Sequence, residues 1–325
     1  MKRKFLKALI IIGILIILSI GALLTYLKTA LPNVGEASAI TVAGTTEQVE
    51  RGRYLANNVM LCIDCHSERN WEIFSGPLVP DSEGKGGEIF DQSFGFPGKY
   101  IAPNITPYGL KDWTDGEIFR AITTGVSRDG HALFPIMPHP NFGMSDSTDI
   151  LAVIAYLRTL PAIEHKIEKS TSDFPMNFII NTIPKKASFT AIPDKANKVA
   201  YGQYLVTAAS CRTCHTNEIK GKEVGEAFAG AREFVFPNDD VLRSMNITPH
   251  ITGIGNWTEE MFVQKFKLFA DSSYIPQKPE VLGYQTMMPW SMYGQMASED
   301  LSAIYAYLRT VPPVENKVEK YTAAN

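Results

Sequence analysis

The chain has 325 residues, room for two ordinary domains, and its 45% apolar and 20% charged content excludes both disorder and a fibrous repeat. A formal net charge of −3 gives no basis for nucleic-acid binding. With only four cysteines, a disulfide scaffold of this size is also excluded, so the positions of the four carry the information.

Reading from the N-terminus, Lys2, Arg3, Lys4 and Lys7 precede an uncharged apolar run at residues 8–27. Those 20 residues, as a helix, reach across a bilayer's hydrocarbon core once. The basic flank belongs on the cytoplasmic side. This predicts a single-pass protein of the inner (cytoplasmic) membrane, held in lipid by residues 8–27, with its soluble part on the periplasmic side. Ala37-Ser38-Ala39 resembles a signal-cleavage tripeptide, but the apolar run is long for a signal and the tripeptide lies well beyond its end. Residues 1–30 are therefore expected to be a membrane anchor and 31–48 a linker.

The remainder repeats itself. ILAVIAYLRTLPAIEHKIEK at 150–169 and LSAIYAYLRTVPPVENKVEK at 301–320 agree at eleven of twenty positions. Upstream, PNITP (103–107) recurs as MNITP (245–249), Trp113-Thr114 as Trp257-Thr258, and Gly52-Arg53-Tyr54-Leu55 as Gly202-Gln203-Tyr204-Leu205. Two tandem copies at a long period indicate duplication, not a solenoid. Domains are expected at 49–169 and 198–325, with a proline-bearing connector at 170–197 that shows no helical period. Each copy should open with a short helix (49–58, 199–209) and continue through a middle helix beginning at Thr114 or Thr258. The last helix should begin near Ser147 or Ser298 and stop at Pro161 or Pro312. Thr114 with Glu117 fits a capping box. Gly52 with Tyr156, and Gly202 with Tyr307, suggest close crossings of first and last helices. No alternating strand pattern stands out, so the fold class is mainly α.

All four cysteines fall in two Cys-x-x-Cys-His motifs, Cys62/Cys65/His66 and Cys211/Cys214/His215, the attachment pattern of haem c. Two thiols on one helical turn can each add to a vinyl group of one porphyrin, and the following His is then directed at the iron. A thioredoxin-like pair would not require His next to the motif twice, and a zinc site would need ligands that lie close together. Two covalently attached haem c groups are expected. For the sixth iron ligand, the duplication is informative. Besides His66 and His215, no histidine has a histidine counterpart, whereas Met137-Pro138 and Met288-Pro289 each lie 19 residues before the repeated Tyr156 or Tyr307. Met137 and Met288 are thus the expected distal ligands, completing the iron sets His66/Met137 and His215/Met288. An iron with both axial positions filled transfers electrons without binding substrate, so the chain is read as an electron-transfer protein without catalysis of its own.

Trp113 and Trp257 read as packing aromatics. Asn104-Ile105-Thr106 and Asn246-Ile247-Thr248 fit the glycosylation sequon, but their place in the repeat favours a structural loop. Lys166, Lys169, Lys185 and Lys186 around the connector read as a solvated basic face.

The phrases GKYIAPNITP…DWTDGEIFRAI…LFPIMPHPNF…SDSTDILAVIAYL and, in the second copy, MNITPHITGIGNWTEEMF…MMPWSMYGQMASEDLSAIYAYL resemble the cytochrome c subunits of bacterial membrane-bound alcohol, gluconate and aldehyde dehydrogenases. The resemblance covers about 49–169 and 199–320. It implies a class I cytochrome c fold in each half after the single N-terminal transmembrane helix. It further implies respiratory one-electron transfer from a dehydrogenase subunit towards quinone, a terminal oxidase or a soluble cytochrome. The alternative is a dihaem peroxidase, which would need one iron with a vacant or displaceable distal position; a Met-Pro in both copies argues against it.

Overall fold

The computed structural model describes residues 2–324. Helix α1 (Lys2–Thr29) is long and apolar enough to cross a membrane, and none of its apolar window is buried. The first repeat contains α2 (Thr46–Tyr54), the motif turn α3 (Cys62–Cys65), α4 (Asp115–Thr124), α5 (His139–Phe142) and α6 (Ser147–Leu157). A short helix, α7 (Met176–Ile179), lies in the connector. The second repeat runs α8 (Lys198–Ala208), α9 (Cys211–His215), α10 (Glu259–Lys267), a turn α11 (Pro279–Leu282), α12 (Trp290–Tyr293) and α13 (Ser298–Leu308). Helix dominates, as the helix start and stop signals of the two repeats predict, and one continuous buried cluster runs through both, from Leu55 and Ile150 to Leu205 and Leu301.

The helix starts follow local chemistry. Thr114 caps α4, its hydroxyl accepting from Glu117 N while the Glu117 carboxylate accepts from Thr114 N, the reciprocal pair expected from the sequence. Thr258 caps α10 by accepting from Met261 N at 3.1 Å. The last helices end at Leu157 and Leu308, a few residues short of Pro161 and Pro312. In the first repeat the end is tied off by Arg158, which caps the helix and donates to the carbonyls of Leu110 (2.9 Å) and Trp113 (2.6 Å). Helix α2 does not stop at Tyr54 but widens into a π-helical turn over Leu55–Val59, a change of period invisible in the hydrophobic pattern.

Small antiparallel sheets, too short for sequence alternation to register, pin the loops: β1 (Ile89–Phe90), β2 (Gly98–Ile101) and β3 (Thr171–Ser172); the hairpin β4 (Glu218–Ile219) and β5 (Lys222–Glu223); and β6 (Glu233–Val235), β7 (Val241–Arg243) and β8 (Tyr321–Thr322). The sheets β1-β2-β3 and β6-β7-β8 share order and pairing sense, so the two repeats are folded alike in this respect as well. Strand β3 and helix α7 give the stretch from 170 to 197 more structure than its prolines suggest.

In each repeat the first and last helices cross at a glycine. A Cβ at Gly52 would stand 1.8 Å from the Ala152 carbonyl oxygen and 2.9 Å from Tyr156 Cβ; at Gly202 it would stand 1.9 Å from the Ala303 oxygen and 3.0 Å from Tyr307 Cβ. Backbone oxygen cannot move aside as a side chain can, so the two helices would have to separate. Gly52→Ala and Gly202→Ala are therefore expected to destabilise the fold by about 2–4 kcal/mol each, read as a lowered denaturation midpoint. Gly13→Ala, with nothing within 4 Å of the added methyl, should leave the midpoint unchanged.

Candidate haem-binding sites

The two Cys-x-x-Cys-His segments fold as single helical turns following residues in the left-handed region, Leu61 (φ 56°) and Ser210 (φ 56°). This reversal separates each motif turn from the helix before it. None of the four cysteines is in a disulfide. The thiols of Cys62, Cys65 and Cys211 are pushed up to about 12 by burial, whereas Cys214 is exposed. A dithiol redox pair needs the opposite shift, towards thiolate. Among the described residues no group of three or more His, Cys, Asp or Glu gathers to hold a metal ion, so a zinc site has no ligand set either. Protonated, unpaired thiols on one turn do suit addition to two vinyl groups of a porphyrin.

His66 Nδ1 donates to Pro103 O at 2.7 Å, and His215 Nδ1 to Met245 O at 2.7 Å. This bond fixes ring orientation and tautomer, leaving Nε2 as the lone-pair nitrogen for a metal. The acceptor is a backbone carbonyl, so Pro in one repeat and Met in the other serve equally. What must be kept is the turn behind it. Asn104 Oδ1 accepts from Thr106 N (2.9 Å) and Oγ1 (2.7 Å), and Asn246 Oδ1 from Thr248 N (2.9 Å) and Oγ1 (2.8 Å). The other ends of the two amides donate to Ile163 O and Val314 O, joining each turn to the chain after the last helix. Asn104 and Asn246 are buried, so the sequons are structural, as read from the sequence. Trp113 and Trp257 are half-buried and pack on the core. The carbonyl acceptors at 103 and 245 were not singled out from sequence; the recurrence of NITP was the available signal.

Met137 and Met288 are half-buried at the rim of the core, as are Cys62 and Cys211. Each Met carbonyl accepts from the amide two residues on, Met137 O from His139 N (2.7 Å) and Met288 O from Trp290 N (2.9 Å). The loops have the same local form but different support. Arg69, ion-paired with buried Asp64 at 3.0 Å and stacked over Trp71, donates to Ser75 O (2.7 Å) and Gly76 O (2.8 Å). This loop of the first repeat grips the Met288 loop of the second. Ser75 Oγ donates to Met288 O (2.6 Å) and accepts from Trp290 N (3.0 Å), while Gln285 accepts from Ser75 N (2.8 Å) and donates to Trp71 O (2.9 Å). The Met137 loop is backed instead by the connector, through Ser188 N to Gly143 O (2.8 Å).

The first repeat also touches the second motif. Asn141 Nδ2, in α5, donates to Thr213 Oγ1 inside the second motif at 3.1 Å. Tyr293 donates to Ala209 O (2.7 Å), and its hydroxyl is held well above the usual phenol range by burial, with Cys211, Cys214, Asp64 and Cys65 adding to the effect. Tyr293 thus sits within electrostatic reach of both motifs.

Reciprocal contacts join the repeats, and sequence reading missed them. Tyr54 OH donates to Asp300 Oδ2 (2.7 Å) and accepts from Ala297 N (3.0 Å); Tyr204 OH donates to Asp149 Oδ2 (2.6 Å) and accepts from Asp146 N (3.1 Å). Each tyrosine of a first helix thereby caps the last helix of the opposite repeat. The signal was the recurrence of Tyr and Asp at matching places, with nothing to say that partners lie across repeats. Asp149 also takes two 2.8 Å bonds from Arg51, whereas Asp300 has Lys195 at 3.8 Å and Tyr201 at 3.4 Å.

Residues 199–312 match the family model described as Cytochrome c, so the second repeat carries a cytochrome c domain, which implies covalently bound haem c. The chain is similar over most of its length to cytochrome c subunits of dehydrogenases. It is 27% identical to the cytochrome c subunit of alcohol dehydrogenase (quinone) from Gluconacetobacter polyoxogenes, over 89% of this chain and 61% of that one. It is 24% identical to the gluconate 2-dehydrogenase cytochrome c subunit of Pantoea cypripedii, over 81% of this chain and 59% of that one. A protein named "Diheme cytochrome c-type" from Cereibacter sphaeroides is 26% identical over 84% of this chain and 89% of its own length. The chain thus spans about three fifths of the length of the dehydrogenase subunits it matches.

Ser75→Ala removes the two side-chain bonds from Ser75 to the Met288 loop and leaves the backbone bond from Ser75 N to Gln285 in place. Amide exchange across 284–290 should accelerate roughly thirtyfold, the equivalent of two hydrogen bonds at about 1 kcal/mol each, while exchange around Met137 stays unchanged.

Proposed function

We propose that the chain is a membrane-anchored dihaem cytochrome c that passes single electrons in a respiratory chain, from a dehydrogenase towards quinone or a terminal oxidase. The observation that carries this reading is the identical treatment of the two motif histidines, each donating from Nδ1 to a backbone carbonyl at 2.7 Å on an Asn-Thr turn. Such a second-sphere bond orients an axial imidazole and strengthens it as a donor. Haem c, when bound, supplies a one-electron iron couple.

The roles of this chain's residues follow. Cys62 and Cys65 would hold one haem, Cys211 and Cys214 the other. His66 and Met137, and His215 and Met288, would supply the axial pairs, filling both positions on each iron and raising its potential relative to two nitrogen ligands. The half-buried motifs would leave a haem edge open to partners while the core excludes water from the iron. The bond from Asn141 to Thr213 would tie the second motif to the first repeat, so that both centres belong to one packed unit. The names of the relatives, cytochrome subunits of alcohol and gluconate dehydrogenases, support a dehydrogenase as donor. Helix α1 would hold the protein at the inner membrane with both repeats on the periplasmic side. The peroxidase alternative is not retained: nothing in the relatives favours it, and both repeats keep the same His and Met-Pro arrangement.

An optical redox titration of the full-length holoprotein tests the proposal. Two low-spin haems are expected, each with Met–iron absorption and neither altered by peroxide. Met137→Leu and Met288→Leu should each abolish about half of that absorption and lower the potential of one haem only. A high-spin iron that reacts with peroxide in the unaltered protein would overturn the carrier reading. Cys62→Ala and Cys211→Ala should each impair folding of the repeat concerned, because a haem completes its core; thermal stability near that of the parent would refute this.

A further inference from the structure

The connector carries an apolar surface that neither repeat covers. Over residues 174–183 it reads FPMNFIINTI, followed by Pro184, Lys185 and Lys186. Phe174 is 78% exposed and Ile179 43% exposed, while Met176, Phe178, Ile180 and Ile183 are partly covered. Phe174 meets the Phe178 ring edge-on at 6.4 Å, so the two aromatics form one ledge. A ledge of this kind on a water-facing loop is the signature of a partner or a membrane.

Its position decides between them. Helix α7 and the turn Ile180–Thr182 pack against α1, and the Lys28 ammonium stands 5.1 Å over the Phe178 ring. The apolar run of α1 ends at residue 27, so Lys28 marks the plane at which hydrocarbon gives way to headgroups. Phe178, and Phe174 beside it, therefore lie at that plane. Aromatic rings are favoured there, with an apolar body towards acyl chains. Lys185 and Lys186, exposed on the chain just beyond the ledge, read from the sequence as a solvated basic face. At this level they would face anionic headgroups instead.

We infer that residues 174–186 form a second membrane contact: the ledge of Phe174, Phe178 and Ile179 inserts into the interfacial zone of the bilayer beside α1, with Lys185 and Lys186 on anionic phospholipid headgroups. The inference rests on the reading of α1 as an anchor. Two contacts at separate points of the chain hold the first repeat at one height and tilt, which a single helix followed by a flexible linker does not.

Photo-crosslinking of the full-length holoprotein in vesicles of phosphatidylethanolamine and phosphatidylglycerol tests it, with p-benzoylphenylalanine replacing Phe174, Ile179, Ile16 or Ile251 in turn. Ile16 reports the span, and Ile251, 70% exposed on the second repeat, is the apolar control. These positions are exposed, so folding is not at stake, and an unchanged haem spectrum checks it. Lipid adducts at 174 and 179 should exceed those at 251 roughly tenfold and approach those at 16. Adducts at 16 with none at 174 or 179 would overturn the second contact and leave the anchor standing. A protein adduct at 174 in native membranes would assign the ledge to a partner and equally overturn it. Absence of adducts at 16 would remove the anchor, and the inference with it.

Discussion

Everything beyond the first helix depends on two backbone-to-backbone contacts, Gly52 against Ala152 and Gly202 against Ala303. At each, the missing side chain lets the opening and closing helices of a repeat meet carbonyl to Cα. That approach places Tyr156 and Tyr307 over the crossing and packs Leu55, Ile150, Leu205 and Leu301 inside. It also sets the height from which α2 and α8 deliver the chain into the left-handed turn before each Cys-x-x-Cys-His segment. The chemistry of the motifs is thus positioned by a steric allowance several turns away.

A second layer of order comes from backbone acceptors. The motif histidines are oriented by the carbonyls of residues 103 and 245, and those carbonyls are presented by Asn-Thr turns anchored to the chain that leaves the last helix. Side chain identity at the acceptor position is free, while the turn is not. The same logic governs Met288, whose carbonyl is held by Ser75 from the other repeat. Among the described residues no side chain clamps the Met137 carbonyl in this way, so the two otherwise similar centres sit in differently braced loops.

Much of this was legible from sequence, and the failures have physical reasons. Thr114 with Glu117 named a helix start because capping is chemistry local to three residues. Gly52 and Gly202 were recognisable because duplication presented each glycine with its partner tyrosine twice. By contrast, α7 escaped notice: one helical turn between Pro175 and Pro184 has no period to detect. The strands, two to four residues long, gave no alternation. The π-helical turn at Leu55–Val59 costs one residue of register and leaves hydrophobic spacing nearly intact. Tyr54 and Tyr204 stood in plain view as repeated residues, but their carboxylate partners are 246 and 55 positions away in the opposite repeat, distances that no local pattern spans.

The exchange of Tyr54 to Asp300 and Tyr204 to Asp149 is isologous: one surface patch, used twice, meets itself about a pseudo-twofold axis. A patch that is its own complement does not distinguish a half from the same chain from a half belonging to another. The preference for the former comes from the connector, which keeps the two patches at high effective concentration. Its reach, and not the chemistry of the interface, therefore sets whether these halves close on each other or trade places between neighbouring molecules. How tightly residues 170–197 are bound down therefore sets the balance between closure within one chain and exchange between two.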